Sequence, residues 1–277
     1  MWRRSRLVLL SLSLIIIIIL SIYQLLRPSL TTTTDPKFIM TKTAVCLGAS
    51  GAVGQKLVEE LVENPNFSTI LTMVRSASKG KISSGKIVEH VVQNMSEIES
   101  EVQQAISKRG KEEEVVGFST LGVGSETAFM TIDQHRAVDV ELNAKFARGL
   151  KKSGKVSHLV FMSVVGANPE NWAYGPGGAG FPRYSRVKGE AEEAVKSVGL
   201  DHVSIFQPAT ILGIPHTPKM IAYVSPFFDY LVPVKFASVK VSELARSMAI
   251  RGSQVPSESI RYFTHPQMME LIAQTSS

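Results

Sequence analysis

Two side chains four residues apart carry the first chemical signal. In the stretch 181–190, FPRYSRVKGE, Tyr184 and Lys188 would share one face of a helix, a turn apart. A phenol with a pKa of about 10 is a poor acid–base catalyst at neutral pH. An ammonium group beside it stabilises the phenolate, so Lys188 is expected to draw the phenol's pKa down toward the useful range. Tyr-x-x-x-Lys pairs arise often by chance and are then solvated, so the elements around this pair decide its meaning. Ser163 closes the run Phe161-Met162-Ser163. Its hydroxyl could polarise a substrate carbonyl or merely hydrogen-bond its own loop.

The second signal is Gly48-Ala49-Ser50-Gly51-Ala52-Val53-Gly54, set between an apolar run and a helical stretch. Glycines at this spacing permit a tight turn, let backbone approach a pyrophosphate, and allow a helix to pack closely on a strand. Free N–H groups at the helix start, aided by the helix dipole, then hold phosphate charge. Arg75 follows Met73-Val74 at the end of the next apolar run. An acidic residue there would accept from the adenosine ribose hydroxyl and favour NAD; an arginine pairs with a 2′-phosphate and favours NADP. The plainer reading of Arg75 is a solvated surface cation.

These groups need a frame, and the pattern supplies one. Strands are expected at 43–47, 69–74, 87–92, 115–120, 158–162 and 202–206, with helices between them. Val53, Leu57 and Leu61 make a buried stripe on a helix from Ala52; Val138, Leu142 and Phe146 make another on a helix over about 133–152. Such alternation predicts an α/β fold, a Rossmann-type doubly wound parallel sheet covered on both sides. The proline-rich stretch near 208–240 reads as an irregular lobe over the substrate. A helix near 241–250, a short strand around Arg261-Tyr262-Phe263 and a last helix opening at Thr264 with Gln267 in capping-box spacing complete the chain.

Residues 7–26, LVLLSLSLIIIIILSIYQLL, carry no charge and are long enough to cross a membrane as a helix. The organisation expected is an anchor at 1–27, a linker at 28–41 and one dinucleotide-binding domain at 42–275. A cleaved signal, or a start at Met40, would remove the anchor. The arginines before the span favour a cytosolic N-terminus. Residues 1–39 carry most of the +6 net charge, with Arg3, Arg4, Arg6, Arg27 and Lys37 against Asp35, which leaves +2 on the remainder. Nucleic acid is therefore not an expected partner. The single cysteine, Cys46, excludes an internal disulfide, and six scattered histidines make a metal site improbable.

The stretches VCLGASGAVGQ, FSTLGVGS, VFMSVVGANP, RYSRVKGEAEEAV and SIFQPATILG resemble the atypical and extended short-chain dehydrogenase/reductases over about 43–250. Within that superfamily the chain is most similar to the branch holding a Tat-interacting oxidoreductase and a fungal mitochondrial outer-membrane protein. The resemblance implies NADPH binding at Gly48, Ser50, Gly51, Val53, Gly54 and Arg75. It also implies cofactor contacts from Ser119, Leu121 and Gly122, and from Pro208 beside the nicotinamide. Tyr184 would donate the proton, and Lys188 would hold the nicotinamide ribose. Two departures stand out: relatives carry paired serines where this chain has Ser163-Val164, and Arg-Pro where it has Gln207-Pro208. The implied activity is NADPH-dependent reduction of an apolar, lipid-like carbonyl or activated alkene at a membrane, mitochondrial outer or endoplasmic reticulum. The competing expectation is a dinucleotide-binding scaffold or redox sensor without turnover, with protein partners.

Overall fold

A strand buried on both faces has no solvent side, so it reads as an unbroken apolar run instead of an alternation. Thr43 to Leu47 is such a run, and in the computed structural model it forms the centre of the sheet. Residues 41–77, 84–110, 113–124, 127, 130–172, 181–214 and 233–275 are described. The strands are β1 (Lys42–Leu47), β2 (Phe67–Val74), β3 (Ile87–Val91), β4 (Val115–Ser119), β5 (Val156–Met162), β6 (His202–Phe206), β7 (Ile211–Leu212), β8 (Val239–Lys240) and β9 (Ile260–Phe263). Seven of them make one sheet in the order β3-β2-β1-β4-β5-β6-β9, with every neighbouring pair parallel. β7 and β8 pair separately.

Parallel neighbours require crossovers, and helices supply them. They are α1 (Ala52–Glu63), α2 (Ile98–Ser107), α3 (Ile132–Arg136), α4 (Asn143–Lys152), α5 (Phe181–Ser197) and α6 (Val241–Ser253), while α7 (His265–Gln274) follows the last strand. One face of the sheet packs Leu57 and Leu61 of α1 against Leu244 and Met248 of α6 and Met268 of α7. The other packs Val102 and Ile106 of α2 with Phe146 and Leu150 of α4 and Ala191 and Val195 of α5. β1 feeds both: Ala44 and Cys46 join the first core, Val45 and Leu47 the second. At α7 the Thr264 amide donates to Gln267 Oε1 at 3.0 Å, the contact its spacing predicts.

The helix expected over 133–152 forms with an interruption. A π turn at Ala137–Leu142 joins α3 to α4. Of the expected apolar stripe, Phe146 is fully buried and Leu142 packs partly buried against the second core, while Val138 is half-buried and outside it. In the first half of the segment the buried residues are polar: His135, Asp139 and Asn143. α2 lies between two expected strands where the sequence pattern gave a helix no bounds. The expected anchor at 7–26 and most of the irregular lobe lie outside the described residues. Among those described, no helix is long and apolar enough to cross a membrane.

Away from the strands' C-terminal edge, a buried polar chain crosses β5 and β6. Arg251 Nε donates to Ser204 Oγ at 2.9 Å, and Ser204 Oγ lies 3.0 Å from His158 Nε2. Ser204 Oγ accepts from Arg251, and the imidazole that meets it is held in its neutral form. Burial, reinforced by Arg251, Lys42 and His202, holds the His158 pKa down to about 3. The unfolded imidazole titrates near its ordinary value, so between these limits the unfolded chain binds more protons. Stability should be complete above the unfolded pKa of about 6.5 and fall as pH drops toward 3, by up to about 1.4 kcal/mol per pH unit. Urea unfolding of the wild type and of His158→Gln at pH 7 and pH 5 checks this. The wild type should lose more stability on acidification than the variant, and equal losses would refute it.

Candidate active site

In an all-parallel sheet every strand ends at the same edge, and ligands bind outside that edge where the strand order reverses. Here the reversal lies between β1 and β4, because the chain runs outward through β2 and β3 before returning. The topology therefore gathers residues far apart in sequence. The glycine turn follows β1, Arg75 follows β2, Ser119 ends β4, Ser163 follows β5, and Gln207-Pro208 follow β6.

The glycine turn is built by close approach of backbone. Gly48 has φ +85°, and a Cβ there would lie 2.7 Å from the Leu121 amide nitrogen. At Gly54 a Cβ would lie 2.0 Å from the Gly48 carbonyl oxygen, so any side chain would lift α1 off the turn. Gly51 differs: its nearest neighbour would be 3.3 Å away, and the position is exposed. As the N-cap of α1 it offers no side-chain cap, and no acidic residue occupies the first turn. The helix start thus leaves amide donors for an anion. These are the features a pyrophosphate requires, and the residues present fit a dinucleotide.

The other expected contacts divide. Ser50 and Arg75 are exposed and accessible. Val53 is buried in the core beside α6, so only its backbone faces the turn. Ser119 is buried and donates to Asn143 Oδ1, while Gly122 is exposed. Pro208 is buried, and its carbonyl accepts from the Val165 amide at 3.0 Å, stitching the loops after β5 and β6 together. Ser163 is also buried and its hydroxyl makes no hydrogen bond of normal geometry. Its titratable neighbour is Glu192. Burial raises that carboxyl's pKa, against the lowering effect of the Gln207 amide and the Ser163 hydroxyl. Gln207 Nε2 donates to Glu192 Oε1 at 2.8 Å, so the residue that replaces the family's arginine is held by a buried acid.

Tyr184 and Lys188 share the inner face of α5, as their spacing predicts. Lys188 is 1% exposed, and its Nζ lies 5.9 Å from the centroid of the Tyr184 ring. The phenol does not, however, follow the expected direction. Burial pushes its pKa above the ordinary tyrosine value; Lys188 pulls it down and Asp139 pushes it back up. The sequence reading missed Asp139. This carboxylate is completely buried and pairs with Lys188 Nζ at 2.7 Å. Asn143 Nδ2 donates to the Asp139 carbonyl at 2.8 Å, which fixes the π turn that carries the carboxylate. The missed signal was the run His135, Asp139, Asn143 at four-residue spacing, polar residues on what becomes an inner face.

A doubly wound parallel sheet with a glycine turn at its switch point is the architecture of a dinucleotide-binding domain. The sequence matches the NAD(P)H-binding family over residues 48–229, and the chain belongs to that family. It is 26% identical over 172 residues to "Protein FMP52, mitochondrial" of Candida glabrata, a match covering 62% of this chain and 65% of that protein. The protein of the same name from Saccharomyces cerevisiae is 25% identical, with 60% and 64% covered. The match thus spans somewhat less than two thirds of these relatives' length. Among solved structures, a short chain dehydrogenase from Burkholderia cenocepacia in complex with NADP is similar at TM-score 0.58 and 12% identity, covering 86% of this chain and 94% of that one. The Bordetella bronchiseptica enzyme WbmH in complex with NAD+ is similar at TM-score 0.56 and 16% identity, covering 81% and 75%. At these identities the structural likeness shows the fold alone.

The two glycines of the helix start should respond differently to bulk. Gly51→Val should leave a folded domain that no longer binds the nicotinamide dinucleotide, NADPH or NADH, because the side chain stands where backbone must meet phosphate. Gly54→Val should lower stability by about 3 kcal/mol or more, the upper range for overpacking. Thermal melting and calorimetric titration separate the two. Unchanged NADPH affinity in folded Gly51→Val would show that the site lies elsewhere.

Proposed function

We propose that this chain is an NADPH-dependent reductase of an apolar, lipid-like carbonyl or activated alkene, attached to a mitochondrial membrane through residues 7–26. The observation that carries the reading is a buried lysine one helical turn from a half-buried tyrosine, on the helix after β5 of a dinucleotide fold. Bound NADPH would supply the hydride. The amides of the Gly48–Gly54 turn would hold its pyrophosphate, Arg75 its 2′-phosphate, and Lys188 its nicotinamide ribose, with Leu121, Gly122 and Pro208 lining the remainder. Tyr184 would give its proton to the substrate oxygen as negative charge develops there. The names of the fungal relatives support the mitochondrial placement.

The reductase reading is tested by following NADPH absorbance over a panel of aldehydes, ketones and enones. Given a substrate, Tyr184→Phe should keep its NADPH affinity and lose turnover by about a hundred- to ten-thousandfold, the usual worth of positioned acid–base catalysis. Undiminished turnover would end the assignment of Tyr184. Absence of transfer across the panel, with NADPH bound, would favour a dinucleotide-binding scaffold.

Cofactor choice is tested separately. Wild type should bind NADPH more tightly than NADH, and Arg75→Ala should narrow that difference by about 1.5–3 kcal/mol, the range for hydrogen bonds to charged groups. Equal wild-type affinities would refute the role given to Arg75. For the anchor, alkaline carbonate should leave the full chain in the membrane pellet and release one starting at Met40. Release of an uncleaved full-length chain would count decisively against attachment.

A further inference from the structure

Three elements converge on one buried point beneath Tyr184. The π turn brings Asp139, α5 brings Lys188, and the loop after β4 brings Gly122 and Val123. Asp139 Oδ1 pairs with Lys188 Nζ at 2.7 Å, and Asp139 Oδ2 accepts from the Val123 amide at 3.0 Å. A Cβ on Gly122 would lie 3.0 Å from both Asp139 Oδ1 and Lys188 Nζ, so the loop closes directly over the pair. His135, completely buried, stacks on the Tyr184 ring with centroids 5.8 Å apart and planes 16° from parallel. A carboxylate and an ammonium so far from water persist together only because each answers the other.

We propose that Asp139 is a positioning residue of this site: it clamps Lys188 and screens its charge, so that Tyr184 stays a protonated phenol ready to donate. The proposal deepens the reductase reading and rests on it for the role of Tyr184. A lysine alone beside a tyrosine favours the phenolate, which is the form that accepts a proton. A lysine already paired with a carboxylate exerts a weaker net field. The site is thereby set to give a proton to a substrate oxygen, the direction reduction needs.

Of the other titratable groups nearby, His135 faces the pair itself, its Nε2 3.7 Å from Asp139 Oδ2. Burial, foremost, depresses the His135 pKa, so its ring is neutral over Tyr184. Arg183 donates to the Thr127 and Met130 carbonyls. Glu190 is held by Arg136 at 2.6 Å and by Arg186 at 3.0 Å. Glu192 is bound by Gln207, and its effect falls on Lys188. Lys188 itself is kept charged: burial would lower its pKa, but Asp139, Tyr184 and Glu192 together outweigh burial and raise it. The phenol's field is therefore set by the Asp139–Lys188 pair.

The test follows tyrosine ionisation by ultraviolet difference absorbance in the folded, ligand-free protein. The chain has six tyrosines, so the curve of a matched Tyr184→Phe background is subtracted in each case to isolate Tyr184. In Asp139→Asn the Tyr184 phenolate signal should appear at a lower pH than in wild type, because Lys188 then acts unscreened. Asp139→Glu, which keeps the carboxylate, should restore the wild-type position. Superimposed curves for wild type and Asp139→Asn overturn the proposal. Should Asp139→Asn fail to fold, the double variant Asp139→Asn/Lys188→Met leaves no unpaired buried charge and is measured instead. Its phenol should titrate no lower than wild type, since the charge that drew it down is gone; a lower position overturns the proposal. No substrate enters these titrations, so a failed search for hydride transfer leaves them standing, and a failed titration leaves the reductase assay intact.

Discussion

The backbone contact between Gly48 and Gly54 is the constraint on which the rest of this structure depends. The helix α1 can begin where it does only because no side chain separates its first turn from the carbonyl of Gly48. That closeness aims the helix's free amides at the edge of the sheet and seats Leu57 and Leu61 on the core under α6. Gly48 in turn touches the loop after β4, so the same point sets the height of Leu121 and Gly122. A dinucleotide cleft is thus specified by missing side chains as much as by those present.

The second half of the cleft is specified by charge. α5 carries Tyr184 and Lys188 on its inner face, and a uniformly apolar helix opposite would leave Lys188 an uncompensated buried cation. The π turn prevents this by turning Asp139 inward, with Asn143 and Ser119 holding the turn itself. The irregular turn lies where the helix buries polar side chains, His135, Asp139 and Asn143, in place of an apolar stripe. The departure from regularity marks the place where chemistry overrides packing.

Most of the frame was legible in the sequence. β-rich apolar runs alternating with helical stripes identify the strands, since a sheet buried on both faces demands such runs. The glycine turn was legible because its spacing, its strand and its helix agree. What escaped is instructive. α2 offers only a short apolar pattern in a charged stretch, too weak to register. Asp139 escaped because the buried stripe was sought among apolar residues, whereas its burial is made possible by Lys188, nearly fifty residues later. The direction of the Tyr184 pKa failed for the same reason: a pairwise reading of Tyr184 and Lys188 has no place for a third charge from another helix. Ser163 was legible as a hydroxyl at the sheet's edge, but its neighbour Glu192 was not, because that contact joins β5 to α5.

The packing of α1 against α6 also has a consequence for synthesis on the ribosome. The glycine turn is made early, yet the helix that covers α1 spans residues 241–253, near the end of the chain. Until that segment emerges, Leu57 and Leu61 lack part of their cover, and β6 lacks its neighbour β9. A nascent or truncated chain therefore holds the cofactor's fingerprint in a form that cannot stably keep it. Ligand binding favours only the state that is fully assembled, by an amount that grows with ligand concentration over its dissociation constant. The supply of dinucleotide would then act on maturation, favouring finished molecules over unfinished ones.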